Sequence, residues 1–355
     1  MSAEPTFQGT TPVREAHRFD ESRLAEWMAA HVAGYAGPLS VEQFRGGQSN
    51  PTYKLHTPGK DYVLRRKPPG HLLKGAHAVE REARVQRALE ATGFPVAHMH
   101  GLCEDDAVIG TWFYVMDCVE GRILWDAGLA DIARDERPAY FSAMVRTLAR
   151  LHSVDVQAAG LADYGRPGNY FQRQITRWGQ QYLGDIDTAG RDENMDRLLD
   201  WLPAHIPDGE EIALVHGDFR IDNMIFHASE ARVLAVLDWE LSTLGHPLAD
   251  FAYHLMMYRL PPMSIAGLAG LDTQALNLPS EDDYVAAYCR YTGREGIEHL
   301  DFYLAFNMFR LAAIFHGIKG RMARGTAASP KALEMVSALP LIAQCAWRQT
   351  QGALR

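Results

Sequence analysis

The sequence predicts an α+β protein, a small antiparallel sheet followed by a mostly helical remainder, on three observations. Residues 40–67 alternate short apolar strands with tight turns. From Leu124 onward, apolar residues recur at three- and four-residue steps. Inside that helical stretch lie short apolar runs, Leu214-Val215, Met224-Ile-Phe226 and Val233-Leu-Ala-Val-Leu237, whose polar ends carry His216, Asp218, Asp222, Asn223 and Asp238.

Composition bounds the function. A chain of 355 residues, 47% hydrophobic and 22% charged, is ordinary for a globular protein and long enough for two lobes. Thirty-five Lys and Arg stand against 44 Asp and Glu, a net charge of −9, which argues against a surface that tracks nucleic-acid phosphates. Any phosphate site must be local. Cys103, Cys118, Cys289 and Cys345 are scattered without a Cys-x-x-Cys pair, so reduced buried thiols and a cytoplasmic location are expected. Met1 to Asp20 has no apolar core and does not read as a secretory signal. The run Phe302 to Ile318 is broken by Asn307, Arg310 and His316, so it reads as a buried helix rather than a membrane span.

In order, residues 1–20 read as a loose arm and Glu21 to Ala33 as a first helix. Three strands follow, Val41 to Arg45, Thr52 to His56 and Tyr62 to Arg66, joined by the turns Gly46-Gly-Gln-Ser-Asn-Pro51 and Pro58-Gly-Lys-Asp61. A turn built on Gly47, Gln48, Ser49 and Asn50 could lay backbone amides over a triphosphate, since glycine permits close approach and Ser and Asn add donors. Period-two geometry puts Val63, Arg65 and Lys67 on one face of the third strand. A helix from about Ala76 to Ala91 carries Glu80-Arg-Glu82. Val96 to Cys103 and Thr111 to Val119 then complete a sheet of about five strands. Tyr140 to Ser153, Gln172 to Leu183 and Asn194 to Leu202 read as helices, the last stopped by Pro203. His246-Pro-Leu-Ala-Asp250 opens another, Ser280 caps Glu281 to Thr292, His299 to Arg324 is long, and Ser329-Pro330 starts the last.

The polar ends carry the chemistry. Leu214-Val-His-Gly-Asp-Phe-Arg-Ile-Asp-Asn-Met-Ile-Phe226 sets a polar loop between apolar strands, with Asn223 five residues after Asp218 and Asp238 fifteen after Asn223. This spacing resembles the kinase catalytic loop, in which an Asp takes the acceptor proton and an Asn and a later Asp hold Mg²⁺. The form His-Gly-Asp-x-x-x-x-Asn resembles the aminoglycoside phosphotransferase and choline kinase family. Gly-Gly-Gln-Ser-Asn-Pro-Thr-Tyr, Ala-His-Ala-Val-Glu-Arg-Glu and Leu-Asp-Trp-Glu-Leu-Ser-Thr-Leu-Gly resemble one branch of it, which includes the kinase-like region ahead of dehydrogenase domains in some large acyl-CoA dehydrogenase family proteins. No flavin site is visible in the sequence, so a dehydrogenase label on such a chain would be inherited from fusion relatives.

The resemblance implies a protein-kinase-like two-lobed fold. Its N-lobe, residues 1–120, would be an antiparallel five-stranded sheet plus a helix, and its mostly helical C-lobe, residues 121–355, would hold the catalytic loop, metal site and acceptor pocket. It implies ATP and Mg²⁺ as cofactors. Asp218 is the expected catalytic base, His216 steadies its loop, and Asn223 and Asp238 hold the metal. Gly47, Gln48, Ser49 and Asn50 would cover the phosphates. Arg65 would contact them braced by Glu82, with Lys67 and Glu80 as the alternatives, and Glu240 would support the metal site through water. Met116, the carbonyl of Asp117 and the amide of Val119 would read adenine. The partner is a small-molecule hydroxyl acceptor, with no nucleic acid and no membrane. Branch membership points to a hydroxy acid or its coenzyme A thioester; an aminoglycoside or amino alcohol is the alternative. Two rival readings are a pseudokinase, supported by Arg65 where lysine is usual, and a metal-dependent hydrolase, against which the fifteen histidines fail to cluster.

Overall fold

A computed structural model describes residues 9–45, 50–70, 77–262, 267–325 and 330–353, with side chains in the last helix from Ala332 onward. The chain forms two compact units. One comprises Met1–Ile123, Ala158–Leu161 and Met224–Leu241; the other comprises Leu124–Gln157, Ala162–Asn223 and Ser242–Arg355.

The first unit is built on an antiparallel sheet in the order Thr10–Pro12, Ser40–Phe44, Thr52–His56, Tyr62–Arg66, Phe113–Asp117, Met99–Cys103. Five of these strands match the expected ones. The sixth, Thr10–Pro12, lies in the segment read as a loose arm. It sits at the sheet edge, where a proline removes no ladder hydrogen bond, and Thr10 Oγ1 donates to Glu42.

Alternation along Tyr62–Arg66 divides the core. Tyr62 and Leu64 pack with Leu24 and Met28 of the helix Glu21–His31, which begins at an Asp20 cap accepting the Ser22 and Arg23 amides. Val63 packs instead with Val79 and Ala83 of the helix Val79–Ala91 and with Met116. Arg65 and Arg66 therefore leave on opposite faces. Arg66 lies over the Phe19 and Tyr53 rings and donates to the carbonyls of His17 and Ile109.

The same unit holds a hairpin, Met224–Phe226 against Val233–Val236, with Arg122–Ile123 added to its edge. Gly121 must be glycine, because a Cβ there would stand 2.3 Å from the Phe226 carbonyl oxygen. The hairpin ends on Asp238, whose φ of 65° is left-handed in a non-glycine residue. Such strain persists where the surroundings over-determine it, and Trp239, buried against Phe94 and donating to the Val236 carbonyl, supplies that constraint.

The second unit is helical: Arg137–His152, Tyr170–Gly184, Glu193–Ala204, Pro247–Leu255, Glu281–Thr292, Leu300–Ala323 and Pro330–Thr350. Ser280 caps its helix as expected, its Oγ accepting the Asp283 amide at 3.1 Å. Pro203, read as a stop, lies inside the last turn of Glu193–Ala204, where few helical hydrogen bonds remain to be lost. The two strands flanking the polar loop do not pair with each other. Ala213–Val215 pairs with Thr243–Gly245, and Met224–Phe226 with Val233–Val236. In Leu300–Ala323 the polar breaks in the apolar run are engaged: Asn307 donates to the Ala249 and Tyr303 carbonyls, His316 to Gly190 and Arg310 to Gly217. No helix of the described residues is long and apolar enough to cross a membrane.

Candidate active site

In the sheet-bearing unit the chemistry gathers around Arg65. Its Nε lies 2.8 Å from Glu82 Oε2, an ion pair off the line of an ideal hydrogen bond, and its Nη2 donates to Asp238 Oδ1 at 2.8 Å, with Glu240 Oε2 at 3.5 Å. Burial opposes the arginine's charge, but the carboxylates of Glu82 and Asp238 outweigh it and hold its pKa above the ordinary value. Burial also raises the Glu82 carboxyl, against the pull of Arg65. Lys67 pairs separately with Glu80 at 2.8 Å and lies over the Trp112 ring. The two alternatives left by the sequence are thus two distinct pairs, Arg65 with Glu82 and Lys67 with Glu80.

Glu82 is held from three sides. Tyr114 Oη donates to its Oε2 at 3.0 Å and Asn50 Nδ2 to its Oε1 at 2.7 Å. Asn50 is fully buried, and its Oδ1 meets His77 Nδ1 at 2.9 Å. This differs from the expectation that Asn50 is an open donor for phosphate: burial turns its amide inward as part of the brace on Glu82. Gly47, Gln48 and Ser49 lie outside the described residues. Met116 lines the core on the Val79–Ala91 face, and the Asp117 carboxylate is taken up by Lys60 and His100, each at 2.6 Å. Burial alone would raise the Asp117 carboxyl, but those two partners bring it below its ordinary range. The side chain of Asp117 is therefore fixed, and the adenine-reading role expected of residues 117 and 119 concerns backbone groups.

In the helical unit the loop after Ala213–Val215 is pinned by Asp250, the fourth residue of Pro247–Leu255. Its Oδ2 accepts the His216 amide at 2.7 Å and its Oδ1 the Gly217 amide at 2.8 Å, while His152 Nε2 stands 3.2 Å away. Burial works to raise the Asp250 carboxyl, but these donors lower it overall. His216 is fully buried, and its Nδ1 accepts the Asp218 amide at 3.2 Å, so it acts on the loop's shape.

The Asp218 carboxylate emerges from that frame with both oxygens held. Tyr253 Oη donates to Oδ1, Arg220 Nε lies 3.2 Å from Oδ1, and Asn223 Nδ2 donates to Oδ2 at 3.1 Å and to the Asp218 carbonyl at 2.9 Å. Burial and the Asp218 charge push the Tyr253 phenol upward, keeping it a proton donor. Because the Asn223 amide nitrogen is directed at Asp218, its Oδ1 points the other way and accepts no hydrogen bond among the described residues.

The residues fit Mg²⁺ by chemistry. The Asp238 carboxylate in the sheet-bearing unit and the Asn223 amide oxygen in the helical unit are each hard oxygen donors of the kind that ion takes. Among the described residues there is no group of three or more His, Cys, Asp or Glu side chains that could hold a metal, as a histidine-rich hydrolase site would require.

Sequence reasoning missed Tyr253, Arg220, Arg310 and the brace role of Asn50. Arg310 left a signal, a cation inside an otherwise apolar helix; Tyr253 left none. The helical unit also contains a cavity of about 280 Å³ bordered by Tyr170, Phe171, Glu210, Glu211, Gly245 and His246. Burial lowers His246 there to about 4.

The profile of the phosphotransferase enzyme family matches residues 40–297. The Gallus gallus protein named acyl-CoA dehydrogenase family member 11 is 44% identical over 97% of this chain but only 45% of its own length, so the chain spans less than half of that relative. A crystal structure from Ralstonia eutropha JMP134, provisionally named an aminoglycoside phosphotransferase, is 51% identical with a TM-score of 0.87, covering 95% of this chain and all of that one. A thermostable variant of aminoglycoside phosphotransferase APH(4)-Ia, in ternary complex with ADP and hygromycin B, aligns over 93% of this chain and 98% of its own, with a TM-score of 0.60. At 15% identity it speaks to the fold alone.

Proposed function

Since the chain belongs to the phosphotransferase enzyme family, we propose that it transfers the γ-phosphoryl group of ATP to the hydroxyl of a small molecule, and that the acceptor is a hydroxy acid or its coenzyme A thioester. The observation that carries this reading is the Asp218 loop. A carboxylate is oriented by Tyr253, Arg220 and Asn223, on a loop whose amides are fixed by Asp250.

Phosphoryl transfer passes through a loose transition state that mainly requires alignment and neutralised oxygen charge. In this reading Asp218 orients the acceptor hydroxyl and takes its proton as the O–P bond forms. His216 and Asp250 keep the loop in shape. Arg65, braced by Glu82, supplies positive charge and a planar fork to the α- and β-phosphates. The Asp117 carbonyl, the Val119 amide and Met116 receive adenine. Mg²⁺, held by Asn223 and Asp238 with Glu240 in support, would neutralise charge on the β- and γ-phosphates.

The acceptor class draws on likeness to acyl-CoA dehydrogenase family member 11, a name that concerns a chain more than twice as long. ATP use draws on membership of the phosphotransferase enzyme family and on the Arg65 guanidinium braced by Glu82. The test is ADP release from Mg-ATP with a panel of hydroxy acids, hydroxyacyl thioesters, amino alcohols and aminoglycosides. Turnover confined to the first two groups supports the full reading. Turnover confined to the last two keeps the chemistry and replaces the acceptor. Nucleotide-dependent stabilisation with no turnover on any member makes the protein a nucleotide binder only.

A further inference from the structure

Among the described residues, Arg310 is a buried cation with no carboxylate paired to it. Its side chain leaves the helix Leu300–Ala323 at 7% exposure, and one nitrogen, Nη2, donates to the Gly217 carbonyl at 2.8 Å. Its Nε is buried with no hydrogen-bond partner, and among the described residues no carboxylate forms an ion pair with it. Asp218 of the loop it touches is engaged by Tyr253, Arg220 and Asn223, and Asp250, which pins that loop from its helix, by two backbone amides and His152. What faces the guanidinium is aromatic: the Tyr253 ring at 5.2 Å and the Trp178 ring at 5.8 Å.

Ring faces offset part of the desolvation of a guanidinium, but a carboxylate offsets far more, and a buried charge without one is normally avoided. The position of this charge matters. Arg310 lies against one face of Tyr253, whose hydroxyl donates to Asp218, so the cation and the proposed base stand one phenol ring apart.

We propose that Arg310 receives a carboxylate carried by the acceptor itself, so that the acceptor is a short hydroxy acid whose hydroxyl lies at Asp218 and whose anion lies at the guanidinium. This deepens the proposed function and rests on it. A planar fork suits a carboxylate in a way an ammonium does not, and a polycationic or amino-alcohol acceptor would bring like charge toward Arg310. The inference thus separates the free acid from the thioester, which has no carboxylate at that place.

The experiment compares the intact chain with Arg310→Gln and Arg310→Lys, following ADP release from Mg-ATP with the β- and γ-hydroxybutyrates, their primary amides, their thioesters and matched amino alcohols. The wild type is expected to favour one acid over its amide by about 100-fold or more in kcat/KM, since a site built for a polar group rejects the analogue lacking it. Arg310→Gln is expected to erase most of that ratio through KM for the acid, with Arg310→Lys in between. Acid and amide are measured on one preparation, so partial loss of folded protein cancels in the ratio. A preference for the acid that survives in Arg310→Gln, or a wild type that prefers amide, thioester or amino alcohol, overturns the inference while the kinase reading stands. Absence of transfer to every acceptor by the wild type overturns both.

Discussion

Arg65 Nη2 lies 2.8 Å from Asp238 Oδ1 while Arg65 Nε lies 2.8 Å from Glu82 Oε2, so one guanidinium joins the carboxylate of a helix to that of a left-handed hairpin residue. The Glu82 end is buried and the Asp238 end partly open. Arg65 is therefore structural toward Glu82 and available toward Asp238, whose carboxylate it would share with Mg²⁺.

Arg65→Met should cost about 3–5 kcal/mol of stability, because it leaves a buried carboxylate without its cation. It should also raise KM for ATP at least about tenfold, the equivalent of one lost charged hydrogen bond. Arg65→Lys should fall between, since an ammonium cannot span both carboxylates. Urea unfolding and ATP titration check this. An Arg65→Met protein as stable as the wild type would contradict it.

Asp250→Asn should disturb the loop without touching nucleotide. An amide in place of the carboxylate presents an NH₂ group to one of the His216 and Gly217 amides, leaving a buried donor unsatisfied at about 1–3 kcal/mol. Misplacing Asp218 should lower kcat by about 10- to 100-fold. KM for ATP should stay within about twofold on the same argument. A large change in KM with kcat unchanged would contradict the assignment.

Tyr253→Phe should leave the fold intact and reduce kcat by about tenfold, the worth of one hydrogen bond to a charged group. An unchanged kcat would show that Tyr253 does not orient Asp218.

His254 predicts a pH dependence of stability. Its Nδ1 donates to the Phe219 carbonyl at 3.2 Å and its Nε2 accepts from Tyr284 Oη at 2.7 Å, so both ring nitrogens are engaged in the neutral form. Burial lowers its pKa from 6.5 to about 4. The unfolded chain then binds a proton below 6.5 that the folded chain refuses until about 4. Stability from this group is full above pH 6.5 and is lost as pH falls toward 4, by up to about 3 kcal/mol. Urea midpoints at pH 7 and pH 4.5 should differ less in His254→Gln than in the wild type; an equal difference in both would contradict this.

What the sequence revealed of this architecture follows from the range of the forces involved. The Tyr62–Arg66 strand and its two faces were legible because side-chain alternation is local, as were the Ser280 cap and the spacing of Asp218, Asn223 and Asp238. Thr10–Pro12 was not, because three residues with a proline carry no alternation and the strand exists only by pairing with Ser40–Phe44. Partners that arrive from afar were equally silent. Tyr253 reaches Asp218 across 35 residues and Arg310 reaches Gly217 across 93, and no periodicity encodes either. Asn50 was read as open because its turn is polar, and only packing turned it toward Glu82.

Phosphoryl transfer through Asp218 is tested by incubating ATP labelled at the γ-phosphate with Mg²⁺, the acceptor panel and the wild-type, Asp218→Asn and Asp238→Asn proteins, then measuring label in the acceptor. The expected result is transfer to a hydroxyl acceptor by the wild type, a fall of about 100-fold or more in Asp218→Asn with ATP still bound, and a comparable fall in Asp238→Asn. Undiminished transfer by Asp218→Asn, or no labelled acceptor from the wild type, would contradict it.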